Sequence, residues 1–227
     1  MLDGFYHALE AVGYTHPIHP TQVNMPIGLV VGALVLVLAA VLSKRAHLAV
    51  SARHAVTVAF FFLIVTAAAG VMDWMHFYSG VWLFPIKVKV VLAVFLFVLL
   101  GVAILAGERL KPTSPVLISI YVLSFLTVVA LGFFGANLVF GGRTPPLPKQ
   151  YLAGENVYRM NCCGCHPYGG NAIKPRKAVL GSDKLNDFQT FVGWLRAPRA
   201  PMPPFSPERI SDAQARQLYQ YAKNLHD

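Results

Sequence analysis

Three residues in one short run have the types and spacing to do chemistry together. They are Cys162, Cys165 and His166, within Asn161-Cys162-Cys163-Gly164-Cys165-His166. The run reads C-x-x-C-H, the attachment signature of a c-type haem. Two cysteines three apart on one helical turn can each bond a vinyl-derived carbon of the same porphyrin. The histidine that follows then lies under the ring, where an imidazole nitrogen can bind the iron. Cys163 stands too close to Cys165 to replace Cys162 and reads as a spare thiol. A zinc site would need further soft ligands, and these three cysteines are all the chain has. A thioredoxin-like pair would need a βαβ setting, which is missing here. One covalently bound haem c is the expected cofactor.

This run resembles the class I cytochrome c family, and the likeness extends over residues 151–227. The parts come in the family's order. A helix carrying Gly154 and Tyr158 leads into the motif, and a loop with Gly169, Gly170 and Pro175 follows. Next comes a methionine in a proline-rich loop, and a helix closes the domain. Ser211 and Gln214 match a capping box at the start of that helix, and Leu218, Tyr221, Ala222 and Leu225 give it an apolar stripe. The resemblance implies that the last helix crosses the first, with Leu218 and Tyr221 near Gly154 and Tyr158. It also implies a sixth iron ligand, for which Met202 in Pro201-Met202-Pro203-Pro204 is the candidate. Prolines hold that loop extended. Met160 precedes the motif too closely to serve, and His226 lies at the terminus. A plain exposed loop methionine is the competing reading of Met202. With histidine and methionine as axial ligands, His166 and Met202 leave no open position, so such a haem passes electrons.

The elements that must position this domain are of another kind. The chain of 227 residues is 56% apolar and 13% charged, about half the charge of an ordinary soluble protein. Disorder is excluded by that composition, and a disulfide-stapled fold by the cysteine count. Residues 1–150 hold nine Lys/Arg and four Asp/Glu, against ten and six in the last 77. Four apolar stretches occupy most of the first part: Val23 to Ser43, Ala55 to Met72, Val90 to Gly107, and most of Pro112 to Gly142. Each approaches the ~20 residues that cross a bilayer, and none alternates as a barrel strand does. The expected fold is all-α: a four-helix transmembrane bundle followed by a small soluble class I cytochrome c domain. Its expected limits are 1–140, with spans about 23–43, 52–72, 86–107 and 115–140, then a Gly/Pro linker at 141–150 and the cytochrome domain at 151–227.

Charge sets the expected orientation. Lys44, Arg45 and Arg53 lie between spans one and two, and Arg109 and Lys111 between three and four. Asp3 and Glu10, and Asp73, Lys87 and Lys89, mark the other side. The positive-inside rule then puts both termini outside the cytoplasm. The first twenty residues contain no Lys or Arg, so no removable leader is expected. Trp74, Phe77, Tyr78, Trp82 and Phe84 read as an interfacial aromatic belt at the outer end. The formal charge of +9 is scattered over the chain, which argues against a nucleic-acid partner.

His16, His19 and His76 also fall at the outer end. Two of them could hold a b-type haem, and Asp73 with His76 could accept protons from a quinol. Hydrogen bonding at the interface is the commoner fate of such groups. Thr15-His16-Pro17-Ile18-His19-Pro20 through Pro26-Ile27-Gly28-Leu29 resembles the opening of a four-helix bacterial membrane-protein family of uncharacterised function, which supplies no activity to carry over. His47 and His54 map to the cytoplasmic end on one helix.

The expected function is a membrane-anchored monohaem c-type cytochrome of the bacterial inner membrane. It would relay electrons on the periplasmic face as a subunit of a respiratory or photosynthetic complex. Its partners would be other membrane subunits, a periplasmic redox protein and the lipid bilayer. The alternative is a b/c-type quinol dehydrogenase with a haem b or quinone at the outer end of the bundle. A haem-based sensor or peroxidase, with an open iron position, is a third class.

Overall fold

The computed structural model describes residues 2–140 and 147–225, apart from the side chains of Asp3, Val139 and Phe140. Every regular element among these residues is helical. A first helix, α1 (Leu2–Ala11), precedes a single turn, α2 (His19–Gln22), that runs into α3 (Asn24–Ser43). Three long helices follow: α4 (Ala46–Tyr78), α5 (Phe84–Arg109) and α6 (Pro115–Phe140). The rest is α7 (Leu152–Asn161), α8 (Phe188–Arg196) and α9 (Asp212–Lys223), with a 3₁₀ turn at Lys149–Tyr151 before α7 and two more, Pro167–Gly169 and Asp183–Leu185, between α7 and α8. Residues 141–146 of the linker, and His226, lie outside the described residues.

Four helical stretches are long and apolar enough to cross a membrane: His19–Ser43, Ala46–Tyr78, Phe84–Arg109 and Pro115–Leu138. With 33 residues, α4 is about 50 Å long and exceeds the ~30 Å hydrocarbon core by several turns. The chain forms two compact units. One contains Met1–His16, Trp74–Ile86 and Gly135–Asp227, and the other Pro17–Asp73 and Lys87–Phe134.

Inside the second unit the buried residues fall at heptad-like spacing. They include Val30, Ala33, Val37 and Ala40 on α3; Ala49, Ala52, Val56, Ala59 and Leu63 on α4; Leu96, Leu100 and Ala103 on α5; and Leu117, Tyr121, Ser124 and Val128 on α6. Steps of three and four residues keep one seam of each helix facing inward. Small residues dominate on α3 and α4, where they let backbones approach closely, as bilayer helices require.

The first unit contains the C-terminal helices and the ends of α4, α5 and α6. There α7 and α9 cross at Gly154. A Cβ at that position would collide with the carbonyl oxygen of Gln217 and lie 2.7 Å from Cβ of Tyr221. Only glycine permits the crossing. Tyr158 and Tyr221 meet beside it with ring centroids 5.3 Å apart. Val157, Leu195, Phe205, Ile210, Ala215 and Leu218 complete this core.

Candidate functional site: a haem-attachment turn and its supports

The attachment motif continues the last turn of α7. Cys162 N–H donates to the Tyr158 carbonyl at 2.7 Å, and Cys165 and His166 N–H groups both return to the Cys162 carbonyl, at 3.1 and 2.8 Å. Cys162, Cys165 and His166 therefore share one tight turn. All three cysteines are free thiols. Burial pushes Cys162 up to about 12, reinforced by neighbouring Cys163. Burial likewise pushes Cys163 and Cys165 up to about 11. At neutral pH these sulfurs are protonated, so they are poor candidates for a thiolate nucleophile.

Two hydrogen bonds fix the histidine. Tyr158 Oη donates to the His166 carbonyl at 2.6 Å, and His166 Nδ1 lies 2.9 Å from the Gly170 carbonyl. A carbonyl can only accept, so Nδ1 carries the proton and Nε2 keeps its lone pair. Burial also lowers the imidazole's proton affinity, against the pull of that Gly170 contact. This is the tautomer and protonation state of a metal-binding imidazole. The Gly170 carbonyl is brought into place by left-handed backbone at Tyr168 (φ 54°) and Gly169 (φ 73°). At Gly169 a Cβ would lie 2.9 Å from Cγ of Leu180.

Met202 and Cys162 both pack, half-buried, against the same aromatic and aliphatic core. The loop carrying Met202 is anchored on each side. Upstream, Asp187 caps α8 by accepting from Thr190 N–H at 2.8 Å. Downstream, Phe205 N–H donates to the Leu195 carbonyl, and Arg196 bonds both the Phe205 carbonyl at 2.8 Å and Asp212 at 2.6 Å. Ser211 and Gln214 form the expected reciprocal capping box of α9. The donor set of two thiols, an imidazole with Nε2 free and a thioether fits an iron porphyrin.

The turn also touches the helix ends within its own unit. A Cβ on Gly164 would lie 3.2 Å from the Leu138 carbonyl and 3.4 Å from the Tyr78 ring. Arg209, pulled down to about 10 by burial, stacks on both Phe77 and Phe205, at 4.5 and 4.6 Å.

The residues expected at the outer end have specific partners. Asp73 is buried and accepts from the Ile18 and His19 N–H groups, at 3.1 and 2.7 Å. His19 Nδ1 lies 2.9 Å from the Thr66 carbonyl, and Gly70 makes room for its ring. The structure thus brings His19 and Asp73 together, as a clamp holding α2 against α4. His76 stacks on Tyr6 at 4.0 Å and 8°, and His16 meets Tyr14 edge-on at 6.4 Å. Among the described residues no group of three or more His, Cys, Asp or Glu side chains could hold a metal ion. Trp74 is tilted against Trp82 and donates to the Val81 carbonyl at 2.8 Å.

Sequence reasoning missed α1, α8 and Arg209. Leu2, Phe5, Tyr6 and Leu9 recur at helical spacing in α1, and Asp187 before Phe188, Phe191, Val192 and Leu195 signals α8. No local signal marks Arg209.

Comparison with known proteins bears out the class I likeness. Residues 149–221 match the family model described as cytochrome c oxidase, cbb3-type, subunit III. Cytochrome c6 of Gracilaria tenuistipitata var. liui is 30% identical over 76 residues, covering 32% of this chain and 69% of the relative. Cytochrome c6 of Picosynechococcus sp. is 35% identical over 63 residues (28% and 51%). That of Cyanidioschyzon merolae is 29% identical over 72 residues (30% and 67%). No solved structure gives a significant match.

Proposed function

The chain belongs to the class I cytochrome c family through its C-terminal domain, and from this premise we propose a membrane-anchored monohaem electron relay. Cytochrome c domains transfer electrons, and the family carries covalently bound haem c. In this reading Cys162 and Cys165 would form the two thioether links to the porphyrin, and His166 Nε2 and the Met202 sulfur would bind its iron. When bound, the haem iron supplies a one-electron couple, and two protein ligands keep substrate off it.

The chain's own residues do the rest. Gly170 holds the imidazole in the metal-binding tautomer, and Tyr158 ties the His166 backbone to α7. Leu195, Phe205 and Ile210 keep water from the core against which Met202 lies. The observation that carries the proposal is the single turn joining Cys162, Cys165 and His166, with Nδ1 committed to Gly170.

The bundle would place this domain on the periplasmic face of a bacterial inner membrane, with both termini outside. Contact of Gly164 with Tyr78 and Leu138 supports a fixed relay, a subunit passing electrons between membrane partners and a periplasmic protein. The engagement of His19, His76 and Asp73 with protein partners supports haem c alone over a bundle that also holds haem b or quinone.

A pyridine haemochrome spectrum and intact mass of the purified chain test this reading. One haem per chain, entirely c-type and covalent, is expected. A b-type band lost on His19→Ala or His76→Ala would support the quinol dehydrogenase instead. Labelling of a cysteine introduced near the C-terminus, from the periplasmic side of intact spheroplasts, tests the orientation.

A further inference from the structure

Two arginines lie within electrostatic reach of the attachment cysteines, Arg159 of Cys163 and Arg209 of Cys162. They differ in how they are neutralised. Arg159, on α7, reaches the Glu155 carboxylate one turn back at 3.9 Å and is partly open to water.

Arg209 has no such partner. Its guanidinium lies between the rings of Phe77 and Phe205, 4.5 and 4.6 Å from their centroids. Both rings are buried, and Tyr6 of α1 meets Phe77 edge-on at 5.4 Å. Among the described residues no carboxylate stands within ion-pair distance of Arg209. Glu10 is within electrostatic reach of it. That carboxylate is engaged elsewhere, 3.4 Å from the His7 imidazole and accepting from the Ser206 hydroxyl at 3.5 Å.

Holding a cation away from water costs free energy, of which the two ring faces return a part. The charge therefore favours any nearby group that can become more negative. Cys162 lies within its reach and, in the proposed function, ties the porphyrin at that point. One-electron reduction adds one negative charge to the bound group, so a fixed cation beside the attachment favours the reduced state. The medium sets how strongly. Coulomb attraction is about fourfold stronger at the effective dielectric of a protein site than in water. Phe77 and Phe205 supply that medium. The carboxylates of a haem c hang from the ring edge opposite its thioether carbons, so a cation at Cys162 acts on the ring as a whole.

We propose that Arg209 is a tuning charge for the haem: held between Phe77 of α4 and Phe205, it draws the couple anchored at Cys162 toward its reduced state. The inference rests on attachment at Cys162. Arg209 acts through space and is not a catalytic residue. Because Phe77 belongs to α4, a spanning helix takes part in setting the potential of the domain it carries.

Potentiometric titration of the full-length haem-loaded protein, between dithionite and ferricyanide and followed by its visible spectrum, tests this. Arg209→Gln should shift the equilibrium about tenfold toward the oxidised haem, which is about 59 mV for one electron. Arg209→Lys, which keeps the charge, should retain most of the parent potential. Phe77→Ala should shift it about threefold in the oxidised direction and make the potential depend on salt, since returning water admits screening. Glu10→Gln removes an opposing charge and should shift it about twofold toward the reduced haem. An unaltered potential in Arg209→Gln with its haem in place would overturn the proposal. Equal falls in Arg209→Gln and Arg209→Lys would also overturn it, since they would mark a purely structural role. Haem stain on denaturing gels reads attachment separately. A parent chain without covalent haem would reject the proposed function, and this inference with it. If Arg209→Gln fails to fold, the opposite shifts expected of Phe77→Ala and Glu10→Gln decide the question, and their absence rejects the tuning role.

Discussion

The spanning body leaves many of its large apolar side chains exposed and buries alanines beside its leucines, whereas the core of the C-terminal domain is dominated by large side chains. Ala33, Ala49, Ala52 and Ala59 are at most 1% exposed, while Phe61, Leu42 and Leu105 are 62%, 85% and 67% exposed. In the other region Tyr158, Tyr221, Phe205 and Leu218 are all at most 3% exposed. The difference lies in the solvent. Lipid tails are as apolar as leucine, so helices in them gain nothing by hiding large side chains and associate through close packing of small ones. Water drives the C-terminal domain to hide its largest apolar surfaces. The candidate attachment turn is built on the second kind of core.

The largest effect that would sharpen this contrast comes from the turn itself. Replacing Cys162 and Cys165 by Ala should abolish covalent haem, seen as loss of haem stain on denaturing gels, while the spanning helices still insert in the membrane. Loss of both would mean that the body depends on the domain.

Glycine substitutions distinguish the two kinds of core directly. Gly154→Ala pushes a methyl into the backbone of α9, and about 3 kcal/mol of domain stability should be lost. Gly32→Ala, in α3, meets nothing within 4 Å. It should be neutral or stabilise by up to ~1 kcal/mol through helix propensity. Thermal unfolding followed by haem absorbance for the first, and by helical circular dichroism for the second, measures both.

Tyr158→Phe removes the donor to the His166 carbonyl and should cost about 1–2 kcal/mol, since that acceptor loses its buried partner. Chemical denaturation of the haem-loaded protein reads the change.

The smallest expected effect is at Asp187, whose carboxylate is held below its ordinary range by hydrogen bonds from Thr190. A depressed acid stabilises the fold above its unfolded pKa, near 3.8, and loses that contribution as pH falls through its lower folded value. Asp187→Ala should therefore lower the melting temperature slightly at pH 7. The gap between variant and parent should narrow as pH falls below 3.8. A gap independent of pH would assign the cap's effect to something other than its charge.

What was legible in the sequence follows from how local each signal is. The C-x-x-C-H spacing, the capping box at Ser211 and Gln214, and the length of the apolar runs are all contained within a few turns of chain. The four-helix body followed by a cytochrome c domain could be read from them. The inward seam of each spanning helix could not, because lipid-facing positions are apolar too and periodicity fades. The role of Gly170 depends on left-handed backbone at Tyr168, a residue type that does not announce it. Asp73 reads in sequence as a partner of His76 or an interfacial hydrogen-bonding group, and that it holds the backbone of Ile18 and His19 depends on chain more than fifty residues away. Arg209 gains its place between Phe77 and Phe205 only when distant segments meet.

Gly164 lies between Cys162 and Cys165 in the chain, and a Cβ on it would come within van der Waals reach of the ends of α4 and α6. A side chain there would wedge the turn away from Tyr78 and the Leu138 carbonyl. Hydrogen is the substituent this position takes without displacing a neighbour, so its identity is tied to both helix ends at once.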